Sequence, residues 1–154
     1  MVQQQVGNLD GAGHRIAIAA TRFNGPIVDH LIDGALDGLL RNGVDEAAVS
    51  IARCPGSWEL PLLCQRLAAK GDVDAVIALG AIIRGETPHY DYLANECVKG
   101  LAQVQHAVDK PVVFGVLTTD TVDQAMNRAG IKMGNKGFDC ALAVIEMCNL
   151  LGEL

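Results

Sequence analysis

Four short runs of Val, Ile, Leu and Ala punctuate the chain: RIAIAA at Arg15–Ala20, Val49–Ala52 within AVSIAR, AVIAL at Ala75–Leu79 and VVFGVL at Val112–Leu117. They are too short for helices and too continuously apolar for strands wet on one side, so they predict strands buried on both faces. A helix-like stretch follows each of them. Asn24-Gly25 with an early Pro26 opens the first, which carries Ile27, Leu31, Ala35 and Leu39 on one face and ends at Gly43. A second runs from about Glu59 to Lys70 and stops at Gly71. A third begins near Pro88 and continues to about Val108, where Asp109-Lys110-Pro111 breaks it. Thr121 with Gln124 forms a capping-box pattern for a fourth, ending at Gly130, and a last helix spans about Asn135 to Leu151. This alternation predicts one α/β domain: a four-stranded parallel sheet between two helical layers, a three-layer α/β/α sandwich.

Composition adds a suspicion of self-association. A chain of 154 residues and 16.2 kDa suits one domain. Half of it is hydrophobic and only 19% charged, with a mean hydropathy of +0.25, so one copy carries more apolar surface than it can hide. The last helix concentrates that surplus, since Phe138, Ala141, Leu142, Val144, Ile145, Cys148 and Leu151 make a stripe wider than one core-facing side. A net charge of −6 without any Lys/Arg cluster argues against nucleic-acid partners, so any bound anion must be caught locally. The five cysteines lack CxxC spacing and read as free thiols of a reducing, cytoplasmic compartment. The opening MVQQQVGNLDGAG has no leader-like pattern and no apolar run is long enough to span a bilayer, so no membrane partner is expected. Residues 1–14 read as an N-terminal arm, or an extra edge strand shared with a neighbour, ahead of a domain over 15–154.

In an open parallel sheet, ligands sit beyond the carboxyl ends of the strands, where strand-to-helix loops converge. Those loops hold Thr21-Arg22-Phe23-Asn24, Cys54 through Glu59, Gly80 through His89, and Thr118-Thr119-Asp120. Phe23 sits at a strand end between polar neighbours, where a flat ligand can stack on it, whereas Trp58 serves equally well as a brace for its loop. In GAIIRGETPHYDY (80–92), Gly85 lets the backbone approach closely while free N–H groups and the Thr87 hydroxyl converge on a spot that suits an anion. Thr87 can instead be a plain helix cap, and the Glu86 carboxylate fits such a site only if it points away. Of the four histidines, His14, His30 and His106 read as surface or helix-end residues. His89 lies in the first turn of its helix, where the dipole favours the neutral base. No serine or cysteine is placed to pair with it, and His89 with Asp91 has no metal-ligand spacing. Pattern alone reaches acid–base work on a phosphate-bearing substrate held against a flat ring.

Five linked motifs go further: RFN at 22–24, PGSWELP at 55–61, GAIIRGETPHYDY at 80–92, FGVLTTD at 114–120 and NRAGIKMGNKGFDCA at 127–141. Together they resemble the lumazine synthase family, in order, from about residue 15 to 151. The resemblance implies a flavodoxin-like fold. It also implies condensation of 5-amino-6-(D-ribitylamino)uracil with 3,4-dihydroxy-2-butanone 4-phosphate, without metal or organic cofactor. It makes Phe23 the stacking plate beside Asn24. Ser57, Trp58 and Glu59 receive the ribityl chain, and Ala81, Ile82 and Ile83 line the ring edge. It gives phosphate to Gly85, Glu86, Thr87 and Arg128, and proton transfer to His89. Phe114, Arg128 and Lys136 would come from a neighbouring subunit, with Asp139 in support, so that each site straddles an interface.

The chain departs from the commonest family pattern at Ala81, a frequent threonine, at Trp58, a frequent Phe or Tyr, and at Ile131 and Met133 in the turn before the last helix. Members of the family are pentamers, decamers or shells of sixty subunits, and some partner riboflavin synthase. With no insertion in that turn and no proline in residues 1–14, the resemblance favours a shell of pentamers, and the bulk of Ile131 and Met133 leaves the choice open. The rival readings are a flavodoxin-like binding or signalling module and a catalytically silent, flavin-binding or shell-forming scaffold. The first leaves His89, Arg128 and Lys136 without a joint purpose.

Overall fold

The central strand β1 (Ile16–Thr21) is buried along its whole length and pairs in parallel with β2 (Val49–Cys54) on one side and β3 (Ala75–Ile83) on the other. Strand β4 (Val112–Thr119) extends the sheet beyond β3, giving the order β2-β1-β3-β4 with every pairing parallel. The computed structural model covers residues 1–154. Between the strands run α1 (Gly25–Arg41), α2 (Leu60–Ala68) and α3 (His89–Val108), and α4 (Val122–Arg128) and α5 (Lys136–Glu153) follow β4. A single turn of 3₁₀ helix at Glu46–Ala48, capped by the Asp45 carboxylate, leads into β2.

The period-two alternation of strands divides the core into two. Ile16, Ile18, Ile77 and Leu79 face one side, where Leu31, Leu39, Val144 and Ile145 of α1 and α5 complete a buried cluster. Ala17, Ala19, Val76 and Ala78 face the other, against Leu60, Cys64, Cys97 and Leu101 of α2 and α3. The three-layer flavodoxin-like sandwich expected of the sequence is thus the observed architecture. One detail differs: β2 is an edge strand rather than a doubly buried one, with Ile51 46% exposed and only Cys54 fully buried. The other edge, β4, leaves Phe114 38% exposed.

No strand forms in residues 1–14. That segment lies back along α5 instead. Gly7 passes so close to the Glu146 carbonyl that any side chain there would collide with it. The Asn149 amide donates to the carbonyls of Asn8 and Asp10 at 2.9 Å, and its oxygen meets His14 Nε2 at 2.6 Å, so His14 is a half-buried latch rather than a free surface residue.

Helices α1 and α5 meet along a seam of small residues. A β-carbon on Gly137 would lie 1.9 Å from the Leu31 carbonyl oxygen, and one on Gly38 would lie 2.7 Å from the Ala141 methyl. Only glycine allows that approach, which fixes where α5 begins. All four β-strands point their carboxyl ends to one edge of the sheet, and the first four helices start there.

Candidate functional site

The loop after β1 is an extension of the sheet. Arg22 N–H donates to the Cys54 carbonyl at 2.8 Å and Phe23 N–H to that of Pro55 at 3.1 Å, so parallel pairing continues past the strand ends. Asn24 then turns the chain with φ +59°, in the left-handed region. Its carbonyl accepts the first N–H groups of α1, from Ile27 and Val28, and its side-chain amide donates to the Ala81 carbonyl at 2.8 Å. Phe23 is left 71% exposed on a rigid base. An apolar ring held out by that many backbone bonds is available to a ligand's face.

The loop after β2 is folded on itself by Glu59. One of its carboxylate oxygens accepts from Gly56 N–H at 3.1 Å, while Glu59 N–H donates to the Gly56 carbonyl at 3.3 Å. The Cys54 thiol also donates to that carbonyl, at 3.4 Å, and its pKa is raised chiefly by burial. This closure holds Ser57 and leaves Trp58 67% exposed. Trp58 therefore does not act as a buried brace.

After β3, Arg84 N–H donates to the Thr119 carbonyl at 2.9 Å, and the next three residues leave the sheet. The backbone N–H groups of Gly85, Glu86 and Thr87 make no hydrogen bond within the chain, and the space where a Gly85 side chain would be is open. Three unpaired donors just before a helix N-terminus form an anion-ready nest. Glu86 is exposed and makes no ion pair, so its carboxylate points out to water. Thr87 Oγ1 accepts from His89 N–H at 3.4 Å, a marginal contact that leaves the hydroxyl's own proton free. His89 is the first residue of α3 and is exposed.

Arg84 itself is turned away from the nest. Its Nε donates to Asp120 at 2.9 Å, Nη2 stands 3.6 Å from the Asp91 carboxylate, and its guanidinium lies 4.4 Å above the Tyr90 ring. The Asp120 hydrogen bond is the main cause raising its pKa, against partial desolvation. It ties the first turn of α3 to the loop after β4. That loop is ordered by the predicted cap: Thr121 Oγ1 accepts from Gln124 N–H at 3.1 Å, and Gln124 Oε1 accepts from Asp120 N–H at 2.8 Å.

These loops enclose a cleft of about 700 Å³. Phe23, Asn24, Ser57, Trp58, Glu59, Ala81, Ile82, Ile83, Gly85, Thr87 and His89 all line it. Tyr92, Leu93 and Glu96, which the sequence reading passed over, line it as well. They recur at helical spacing from His89, so the face of α3 that carries the imidazole also carries them, a signal the sequence held. Phe114, Glu86, Arg128, Lys136 and Asp139 do not line the cleft of their own chain. Nor does any Lys or Arg. Arg128 and Lys136 are exposed and form no ion pair, in contrast to Arg15, Arg41, Arg53 and Arg84, each bound to an aspartate. No group of three metal-ligating side chains gathers anywhere in the chain.

A parallel sheet covered on both faces, with one cleft at the carboxyl ends of its strands, defines a flavodoxin-like α/β domain built to hold a small molecule. The family model described as 6,7-dimethyl-8-ribityllumazine synthase matches residues 13–152. The 6,7-dimethyl-8-ribityllumazine synthase of Aquifex aeolicus (strain VF5) is 51% identical over 148 residues, covering 96% of this chain and 96% of that protein. The chain belongs to this family.

Proposed function

We propose that the protein condenses 5-amino-6-(D-ribitylamino)uracil with 3,4-dihydroxy-2-butanone 4-phosphate to 6,7-dimethyl-8-ribityllumazine, releasing phosphate and water. The observation that carries this reading is the convergence, in one cleft, of an exposed stacking ring, an unengaged imidazole and the free backbone donors of Gly85 and Thr87. Phe23 takes the pyrimidine, with Asn24 and the edge of Ala81, Ile82 and Ile83 around it. Ser57, Trp58 and Glu59 take the ribityl hydroxyls, Glu59 through the carboxylate oxygen that the loop does not use. The nest at Gly85, Glu86 and Thr87 takes the phosphate.

His89 moves protons as the amine attacks the ketone, water leaves to give the imine, phosphate is expelled, and the second amine closes the ring on the remaining carbonyl with loss of a second water. Much of the acceleration comes from holding two reactive partners together. The cleft supplies no cation for a phosphate, and Arg128 and Lys136 are cations without partners. Their guanidinium and ammonium, with Phe114 and with Asp139 in support, reach the cleft of an adjacent copy, so the working unit is a homo-oligomer, a pentamer or a shell of pentamers. Its free thiols fit a cytoplasmic setting, and residues 1–14 serve as an arm on the 15–154 domain. Mixing purified protein with the two substrates and following lumazine fluorescence tests the reading. Product formation no faster than in buffer, from folded protein, overturns it in favour of a silent scaffold.

A further inference from the structure

The turn that joins α4 to α5 is closed by one side chain. Asn135 Oδ1 accepts from Gly137 N–H at 2.8 Å and Phe138 N–H at 3.2 Å, capping α5, while its Nδ2 donates to the carbonyls of His30 at 2.9 Å and Ala129 at 3.2 Å. One amide thus joins three helices and uses both of its donors and both lone pairs of its oxygen. The surroundings are shaped to it. A β-carbon on Gly34 would lie 2.1 Å from Oδ1, and one on Gly130 would lie 3.3 Å from Nδ2. Ala129 and Asn135 also form the bridge across the turn.

The two ends of that bridge adjoin Arg128 and Lys136, the unpaired cations assigned above to phosphate and substrate. A cap for α5 needs only Oδ1, and serine would supply it nearly as well. The two Nδ2 bonds do something else: they fix the end of α4 against the start of α5 and against α1. The geometry points to Asn135 as a positioning residue, whose Nδ2 bonds set the separation and bearing of Arg128 and Lys136 and so the grip on the phosphorylated substrate. This rests on the proposed function for its substrate, but the grip on phosphate itself is measurable without turnover.

The test is Asn135→Ser, which keeps a neutral capping oxygen and removes the two amide N–H donors, its shorter hydroxyl standing in for neither. Its melting temperature should fall by about 4–8 °C, the scale of two lost hydrogen bonds in a fold that otherwise stays intact. Binding of inorganic phosphate by titration calorimetry and KM for the butanone phosphate should weaken about ten-fold, while KM for the pyrimidine stays within about two-fold. Gly34→Ala, which crowds the same amide and leaves Asn135 intact, should give the same selective loss. Unchanged phosphate binding and KM in both variants overturn the inference, as does equal weakening towards both substrates. A parent protein that binds phosphate but makes no lumazine overturns the proposed function alone, and the phosphate titrations of the variants still decide the role of Asn135.

Discussion

His89 stands at the start of α3 with no hydrogen bond to its ring, and Arg128 stands outside its own cleft with no carboxylate beside it. A single general acid–base contributes about 10²–10⁴-fold. His89→Ala should therefore lower kcat by about 10²-fold and leave both KM values nearly unchanged. Removing a preorganised charge from a phosphate grip costs more, so Arg128→Ala should lower kcat/KM for the butanone phosphate by about 10³-fold. Steady-state assays of both variants check the order, and an inactive His89→Ala beside a fully active Arg128→Ala reverses the assignment. The thiols predict a different curve. Burial pushes Cys97, Cys140 and Cys148 up to about 11, against 9.0 for a free thiol. Between these values the folded chain keeps protons that the unfolded chain has lost, so stability falls as pH rises from about 9 to about 11. Thermal melts should be flat from pH 7 to 8 and decline across that window, and a melting temperature that holds to pH 11 would contradict it. At this scale the loop residues were legible, since Phe23 and His89 sit where a parallel sheet exposes its chemistry. The pairing of Arg84 with Asp120 was not, because it joins loops 36 residues apart that only the sheet brings together.

The elements were legible to within a few residues, and the discrepancies have causes. Strand β3 runs on from Leu79 to Ile83 because Gly80 through Ile83 pairs with Val116 through Thr119 of β4, and pattern alone cannot see a partner. Strand β2 looked buried because Val49, Ile51 and Ala52 are apolar, yet it lies at an edge with Ser50 and Arg53 exposed, a placement set by strand order. The α1–α5 seam was invisible as well: no pattern marks Gly34, Gly38 and Gly137, which in three dimensions are the contact. Gly137→Ala would place a methyl on the Leu31 carbonyl and force the helices apart. A cost of about 3 kcal/mol is expected, with Arg128 and Lys136 displaced alongside. Urea unfolding measures it, and a loss below about 0.5 kcal/mol would mean that the seam yields freely.

At the scale of the molecule, one folded chain exposes 8463 Å², against about 7,500 Å² expected of a monomer of this mass. Part of the excess is the arm. The rest includes exposed apolar side chains: Leu62 on α2, Val98 on α3, Ile51 and Phe114 on the two sheet edges, and Val122 at the start of α4. If the cleft of one copy is completed by Arg128 of the next, the two halves of a site can be broken on different chains. Subunits carrying His89→Ala and subunits carrying Arg128→Ala, unfolded, mixed in equal amounts and refolded together, would meet at random around a ring. About a quarter of the junctions would then pair an intact His89 with an intact Arg128, so about a quarter of parental activity should return. Neither variant refolded alone can make such a junction. Mixed protein that is no more active than the average of its two parents, although sedimentation shows it assembled, would place the whole reaction within one chain and leave the unpaired cations without a role.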